Sequence, residues 1–369
     1  MNFTNSWATA RRVLREELGY LARINRSDRP WQMPFAASLA SGLPLLIGAY
    51  FDRMDFGLVS SLGGLVFLYL PTTPLYHRMV TLMVCAFAMT ACYALGVMSH
   101  FVPLLMMPVL VFTSVLVTTL CRFYAVGPPG SLFFIMAAAI GAYTPLEVLE
   151  VPRMVGLVAM GSTLAGLIAF AYSVYMLRKK EARSVSPLPK PTFDFVVFDS
   201  IVIGVSVGIS LALAQALRLE RAYWVPVSCV AVIQGVSLRA VWNKQLQRIL
   251  GTTVGVLVSW GLLLLPLNHW TISLVMMALT FAIETLVVRH YVLAAAFITP
   301  LTILLAEAAR LGQGTTAALI QARLIDTVLG CLVGLAGGMC LHSARFRERV
   351  GPPMRRLLAS LSMTRRRRP

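Results

Sequence analysis

Long apolar stretches separated by short polar turns follow one another along almost the whole chain. A helix needs about 20 largely apolar residues to cross roughly 30 Å of hydrocarbon, and continuous stretches favour helices over the alternating strands of a membrane barrel. The pattern predicts twelve helical spans, the second of them short, at 33–50, 57–70, 79–98, 101–121, 131–148, 154–177, 195–214, 222–237, 249–267, 270–288, 291–307 and 323–341.

The composition agrees with a membrane-embedded chain. Of the 369 residues, 58% are hydrophobic and 13% are charged, whereas a soluble domain carries about a quarter of its residues as charges. The sequence has no GxxxxGK[ST] phosphate loop, no recognisable serine, histidine and acid triad, and no CxxC spacing, and its five histidines are dispersed. We therefore predict a protein that is not an enzyme and has neither a cofactor nor a metal site.

The distribution of basic residues predicts the orientation in the membrane. With both termini in the cytoplasm, 26 of the 32 Lys and Arg residues fall on the cytoplasmic side and six on the other, as the positive-inside rule requires. The bilayer of a bacterial inner membrane is then the principal partner. Anionic lipid explains the formal net charge of +17 without nucleic acid.

The chain also contains an internal repeat. AAAIGAYTPL at 137–146 resembles AAAFITPL at 294–301, and an even number of spans in each half predicts two parallel six-helix repeats related by an axis along the membrane normal. The predicted organisation is a basic N-terminal segment, a first repeat, a cytoplasmic linker, a second repeat and a basic cytoplasmic tail, at 1–30, 31–177, 178–194, 195–342 and 343–369.

The N-terminal segment lacks the apolar core and cleavage site of a removable signal peptide, so we expect it to stay on the protein. Its leucines and arginines separate onto different helical faces, which predicts a helix lying on the bilayer surface. A solvated basic tail is the alternative.

A Thr-Pro pair occurs in the predicted fifth helix of each half, as Thr144-Pro145 and Thr299-Pro300. Proline removes a backbone donor and can break a helix at membrane depth, and an exposed half-helix N-terminus attracts anions. We predict that both pairs bind substrate. A purely structural kink is the alternative.

Four arginines occupy matching positions in the two halves. Arg78 and Arg248 begin the predicted third helices, and Arg153 and Arg323 begin the sixth. The guanidinium fork matches a carboxylate, so these residues are predicted to bind substrate at the two mouths of a pathway. They would otherwise extend to the lipid headgroups.

Acidic residues are rare in the predicted spans. Asp199, Glu284 and Asp326 are the candidate proton carriers. Asp326 has an alternative static role, because it follows Arg323 at i to i+3 and the two side chains would pair.

Aromatic and small residues complete the set of candidates. Tyr223 and Trp224 offer a stacking surface for an aromatic substrate, unless they belong to the interfacial aromatic belt. Glycines within 204–210 and 330–338 are spaced at i, i+4, which predicts close contact between helices.

The stretch 220–258 resembles the fusaric acid resistance (FUSC) and aromatic acid exporter family. In that family an arginine and an aromatic-tryptophan pair open a helix, and a later arginine precedes a Gly-Thr and a second glycine. The matching residues here are Arg221, Tyr223, Trp224, Arg248, Gly251, Thr252 and Gly255. The first half at 30–98 keeps Asp55 and Arg78 but lacks the Gly-Thr element.

The resemblance implies export of small organic acids, aromatic carboxylates above all. It also implies a periplasmic membrane-fusion protein and an outer-membrane channel as partners. Proton coupling and a homo-oligomer are further hypotheses. An organic-anion channel and a non-transporting scaffold of an efflux assembly are the alternatives.

Overall fold

Helices make up nearly all of the regular structure. The computed structural model describes Gly19 and residues 24–185, 187–188, 192–307 and 316–366, and no strand occurs in these ranges. In them we number thirteen α-helices: α1 (Gln32–Tyr50), α2 (Met54–Gly64), α3 (Leu75–His100), α4 (Pro103–Phe123), α5 (Leu132–Ala142), α6 (Val151–Leu177), α7 (Asp199–Ala216), α8 (Trp224–Ile233), α9 (Leu238–Leu263), α10 (His269–Leu286), α11 (Tyr291–Glu307), α12 (Thr316–His342) and α13 (Ala344–Arg366).

Eight of these helices are long and apolar enough to cross a bilayer, namely α1, α3, α4, α6, α7, α9, α10 and α12. The remaining apolar helices of the described chain, α2, α5, α8 and α11, are shorter. The chain is therefore an all-helical membrane protein, as predicted. The short helices are the second and the fifth in each of the groups α1–α6 and α7–α12.

Every predicted span overlaps a helix, but α9 begins at Leu238, well before the predicted start at 249. Ser237 caps this start by accepting a hydrogen bond from the amide of Ala240 (3.2 Å). Hydropathy missed the first three turns because they are polar. Arg248 consequently lies inside α9, and Arg323 inside α12, so the prediction that they begin their helices is wrong.

Glycines allow the short helices to pack closely against long ones. A Cβ on Gly161 of α6 would lie 1.9 Å from the carbonyl oxygen of Ser60 in α2, and one on Gly330 of α12 would lie 2.4 Å from that of Val225 in α8. The predicted contact at 330–338 is thus confirmed. The same relation joins α3 to α5 at Gly96 and α9 to α11 at Gly251.

Two contacts join the group α1–α6 to the group α7–α12 in the same way. Helix α1 packs against α10, and α4 packs against α7, so the first helix of each group meets the fourth helix of the other. The C-terminal turns of α1 and α7 also match. Asp52 and Arg218 follow these helices with φ of 54° and 53°, and the next amide in each case bonds back to Gly48 or Ala214.

Candidate functional site

A cavity of about 1740 Å³ lies between the two groups of helices and is lined by both. Its outer end carries Arg53 and Arg153, next to the start of α2 and of α6. Its inner end carries Arg29, Arg122 and Arg347, which lie where α1 begins and where α4 and α12 end. The charge distribution predicts that the inner end faces the cytoplasm.

Arg248 projects from α9 into the middle of this cavity. Its side chain is 5% exposed, and it donates hydrogen bonds to the hydroxyl of Tyr291 (3.1 Å) and to Oγ of Ser228 (3.3 Å). Its Nε is buried without a hydrogen-bond partner in the described structure. No carboxylate within the described ranges lies within ion-pair distance of it.

Arg323 of α12 reaches the same cavity and is 4% exposed. Its guanidinium carbon lies 4.2 Å from the ring centroid of Trp224, an arrangement in which the ring face attracts the cation. Its Nε and Nη1 are buried and have no hydrogen-bond partner among the described atoms. The charges of Arg323 and Arg248 are close enough to repel each other.

Aromatic rings line the cavity beside Arg323. The ring centroids of Tyr223 and Trp224 are 5.2 Å apart, and those of Tyr223 and Tyr143 are 5.9 Å apart. Trp224 is 3% exposed, so it lies inside the protein and the interfacial-belt alternative does not describe it. Gln215 fixes Tyr143 by donating to its hydroxyl (3.0 Å). The wall therefore combines two unpaired cations with three aromatic rings.

Most acidic residues of the lining are already neutralised by arginines. At the inner end Asp199 accepts from Arg122 and from Arg347 (2.8 Å each), and Glu284 accepts from Arg29 (3.2 Å). Both pairs connect one helix group to the other. Asp199 and Glu284 were predicted proton carriers, and here they form ion pairs between helices.

At the outer end the acids pair with neighbours in sequence. Asp55 accepts from Arg53 (2.9 Å), and Glu150 accepts from Arg153. The hydrogen bond with Asp55 raises the pKa of Arg53 above its ordinary value. Because these arginines already have carboxylate partners, they are less available to a substrate than Arg248 and Arg323.

Asp326 lies one turn beyond Arg323 and is 1% exposed. Both of its carboxylate oxygens are buried and have no hydrogen-bond partner in the described part of the chain. The alternative in which it pairs directly with Arg323 is therefore not observed. The pattern at i to i+3 places two such residues on one helix face, but each side chain takes a different direction.

Neither Thr-Pro pair breaks a helix in the predicted way. Helix α5 ends at Ala142, so Thr144 and Pro145 lie in the connection that follows it, where both line the cavity. Pro300 lies inside the continuous α11, and Thr299 is 1% exposed and donates to the carbonyl of Ala295 (3.0 Å). The pair in α11 is directed away from the cavity, and α11 contributes Thr302 instead.

The other two predicted arginines take different positions from their counterparts. Arg78 is buried and donates through Nε to the carbonyl of Thr73 (2.5 Å), outside the cavity lining. Arg153 is at the outer mouth, half-exposed, with its guanidinium 5.0 Å from the ring centroid of Phe56. Of the four arginines, only Arg248 and Arg323 are both buried and directed into the cavity.

Sequence reasoning missed two lining residues, Lys244 and Tyr291. Lys244 precedes Arg248 by one turn, and its Nζ lies 5.5 Å from the ring centroid of Tyr291. The i to i+4 spacing of Lys244 and Arg248 was a usable signal, but it lies in a polar stretch assigned to a loop. Tyr291 is the first residue of its helix, a position typical of the interfacial belt.

The part of the chain that carries both buried arginines has relatives. Residues 209–337 match the family model described as fusaric acid resistance protein-like. This confirms the resemblance predicted from 220–258, over about a third of the chain. The match runs from α7 to α12 and includes Trp224, Arg248, Tyr291 and Arg323.

A curated relative is the uncharacterized membrane protein YvaC of Bacillus subtilis (strain 168), with 34% identity over 128 residues. The aligned part is 35% of this chain and 20% of the relative, so the chain spans a small part of that protein's length. No solved structure matches the chain at a significant level.

Proposed function

We propose that this protein transports small organic anions, aromatic carboxylates above all, out of the cytoplasm across a bacterial inner membrane. The observation that carries the proposal is the pair Arg248 and Arg323, which are buried and line a cavity between the helix groups without a carboxylate partner among the described residues. A buried cation without a counter-ion is costly in a membrane interior. A bound carboxylate would remove that cost.

The aromatic wall supports an aromatic substrate. A carboxylate bound by Arg323 would place an attached ring near Trp224 and Tyr223, where stacking or edge contacts stabilise it. An arginine fork binds a carboxylate through two parallel hydrogen bonds. The unpartnered Nε and Nη1 of Arg323 are two such donors.

For the mechanism, we propose two parallel repeats, α1–α6 and α7–α12, that rock against each other around the cavity. The matching short helices and the reciprocal packing of α1 on α10 and of α4 on α7 support this arrangement. Asp326 is the proposed proton carrier. It is buried and unpartnered, so protonation would remove a charge that nothing nearby neutralises through a hydrogen bond.

The same proposal places both termini in the cytoplasm, with 178–194 as a cytoplasmic linker. A membrane-fusion protein in the periplasm and an outer-membrane channel would carry the exported anion onward. The abundance of Lys and Arg on the predicted cytoplasmic side supports this orientation.

Uptake of radiolabelled benzoate into everted membrane vesicles tests the proposal. When the vesicle interior is acidified, passive diffusion of benzoic acid runs against accumulation there, so net uptake reports the protein. We expect uptake in vesicles with the protein, its loss when an ionophore collapses the gradient, and a reduction of about tenfold or more in Arg248→Gln and in Arg323→Gln.

Arg178→Gln is the control, because Arg178 is exposed at the end of α6 and outside the cavity lining. Uptake that continues after the gradient collapses would indicate an anion channel. Equal uptake by wild type, Arg248→Gln and Arg323→Gln would refute the proposed binding site.

A further inference from the structure

Lys244 and Tyr291 form a second cationic position in the cavity, one helical turn from Arg248. Helix α9 directs Asn243, Lys244, Gln247 and Arg248 into the cavity, which is one helical face with spacings of one, four and five residues. Lys244 is half-buried. Like Arg248, it has no carboxylate within ion-pair distance in the described structure.

Tyr291 contacts both cations. Its ring centroid is 5.5 Å from Nζ of Lys244, and its hydroxyl accepts from Nη1 of Arg248 (3.1 Å). A ring of this kind holds an ammonium group by its face without neutralising it, so the positive charge stays available to a ligand. Tyr291 therefore spaces the two cations and leaves both open to the cavity.

Lys244 lies between Arg248 and the inner end of the cavity. Helix α9 runs away from that end, since His342 at the close of α12 contacts the carbonyl of Gly235 just before α9 begins (3.1 Å). The acids at the same end, Asp199 and Glu284, already hold arginines. An anion that arrives from the inner end thus meets the free charge of Lys244 before it reaches Arg248.

We propose that Lys244 and Tyr291 form a separate subsite that takes the carboxylate of the substrate from the cytoplasm and passes it to Arg248 and Arg323. This rests on the proposed function and adds the site of first capture. The ammonium group suits capture because it accepts a carboxylate from several directions, whereas the arginine fork fixes one orientation. An anion binds at Lys244 first and then moves one turn deeper.

Initial rates of benzoate uptake into everted vesicles test this step, because the cytoplasmic face is outermost. In Lys244→Gln we expect the half-saturating benzoate concentration to rise by about fivefold to tenfold, with the maximal rate within about twofold of wild type. The dependence of the initial rate on ionic strength should weaken, because a steering charge is lost. Lys244→Arg should restore both quantities.

Lys179→Gln is the matched control. Nζ of Lys179 lies 4.4 Å from the ring centroid of Tyr175, also toward the predicted cytoplasmic side but outside the cavity lining. This variant should resemble wild type. An unchanged half-saturating concentration and salt dependence in Lys244→Gln would overturn the subsite, even if Arg248→Gln and Arg323→Gln abolish transport.

A second measurement needs no transport. In Lys244→Cys, a sulfonated methanethiosulfonate reagent applied from the cytoplasmic side should react at least about tenfold faster than a trimethylammonium reagent of similar size. Benzoate should slow the reaction. Equal rates for the two reagents would overturn the subsite, whereas selective labelling without benzoate uptake would keep the subsite and remove the proposed function.

Discussion

Gly255 of α9 lies directly against Thr299 of α11. A Cβ added to Gly255 would come 2.6 Å from Cβ of Thr299 and 2.6 Å from the carbonyl oxygen of Ala296. Thr299, which the sequence suggested as a ligand of the substrate, is therefore a packing residue. The two helices that carry Arg248 and Tyr291 are held at close distance by this contact.

Gly255→Ala should lower the stability of the protein. The new methyl group meets backbone atoms of α11, and overpacking of this kind costs about 1–3 kcal/mol. Thermal unfolding of the detergent-purified protein measures the change. Gly261→Ala in the same helix has nothing within 4 Å of the added Cβ, and it should unfold close to the wild-type temperature. Equal stability of the two variants would show that α9 and α11 are not packed as described.

Trp224→Leu should weaken binding of benzoate. Arg323 lies 4.2 Å over the indole ring, and a desolvated contact between a cation and an aromatic ring contributes about 2 kcal/mol, which corresponds to roughly thirtyfold in affinity. Equilibrium binding of labelled benzoate to purified protein measures the loss. Trp242→Leu, on α9 but exposed and outside the cavity lining, should bind as wild type does. A loss in both variants would indicate a general structural effect.

Asp326→Asn should separate transport from the proton gradient. The amide is nearly the same size as the carboxyl group but cannot carry a proton, so we expect exchange of labelled for unlabelled benzoate to persist while gradient-driven accumulation falls to the level without a gradient. Asp28→Asn, at an exposed position before α1, is the control. Accumulation that still follows the gradient in Asp326→Asn would remove this residue from the coupling step.

Exchanging the charges of Arg29 and Glu284 should reveal the ion pair between helix groups. Glu284→Arg places two cations together at a site where the acid is 11% exposed, and the loss should be about 1–3 kcal/mol in the free energy of unfolding. The double variant Arg29→Glu with Glu284→Arg should recover most of it.

The pair Arg53 and Asp55 provides the comparison for this exchange. Both side chains are about half exposed, and Asp55→Arg should cost less than about 1 kcal/mol because surface ion pairs contribute little. If the double variant is no more stable than Glu284→Arg alone, the ion pair does not hold the groups together.

The sequence was sufficient for the helices and for two of the ligating candidates. Uninterrupted apolar stretches predicted every helix that lies in lipid, and the resemblance around Trp224 and Arg248 predicted residues that meet in one cavity. Hydropathy could not predict the start of α9, because a helix that faces a polar cavity has no need of apolar residues. It also could not show which side of α11 faces the cavity, since Thr299 and Thr302 differ only in direction.

Contacts distant in sequence were outside the reach of any local pattern. Arg29 and Glu284 are 255 residues apart, and nothing in the composition of either helix singles out the other as its partner. The neutralisation of the inner acids, which leaves Lys244, Arg248 and Arg323 as the available cations, depends on such pairings.

The polarity of the two ion pairs at the inner end is reversed between the helix groups. In one, the arginine precedes the first helix and the acid is on the fourth; in the other, the acid is on the first helix and the arginine on the fourth. Two copies of α1–α6 would set Arg29 against Arg122, and two copies of α7–α12 would set Asp199 against Glu284. Each half is thus self-incompatible, and a molecule assembled from a duplicated half would repel itself where the natural one is joined.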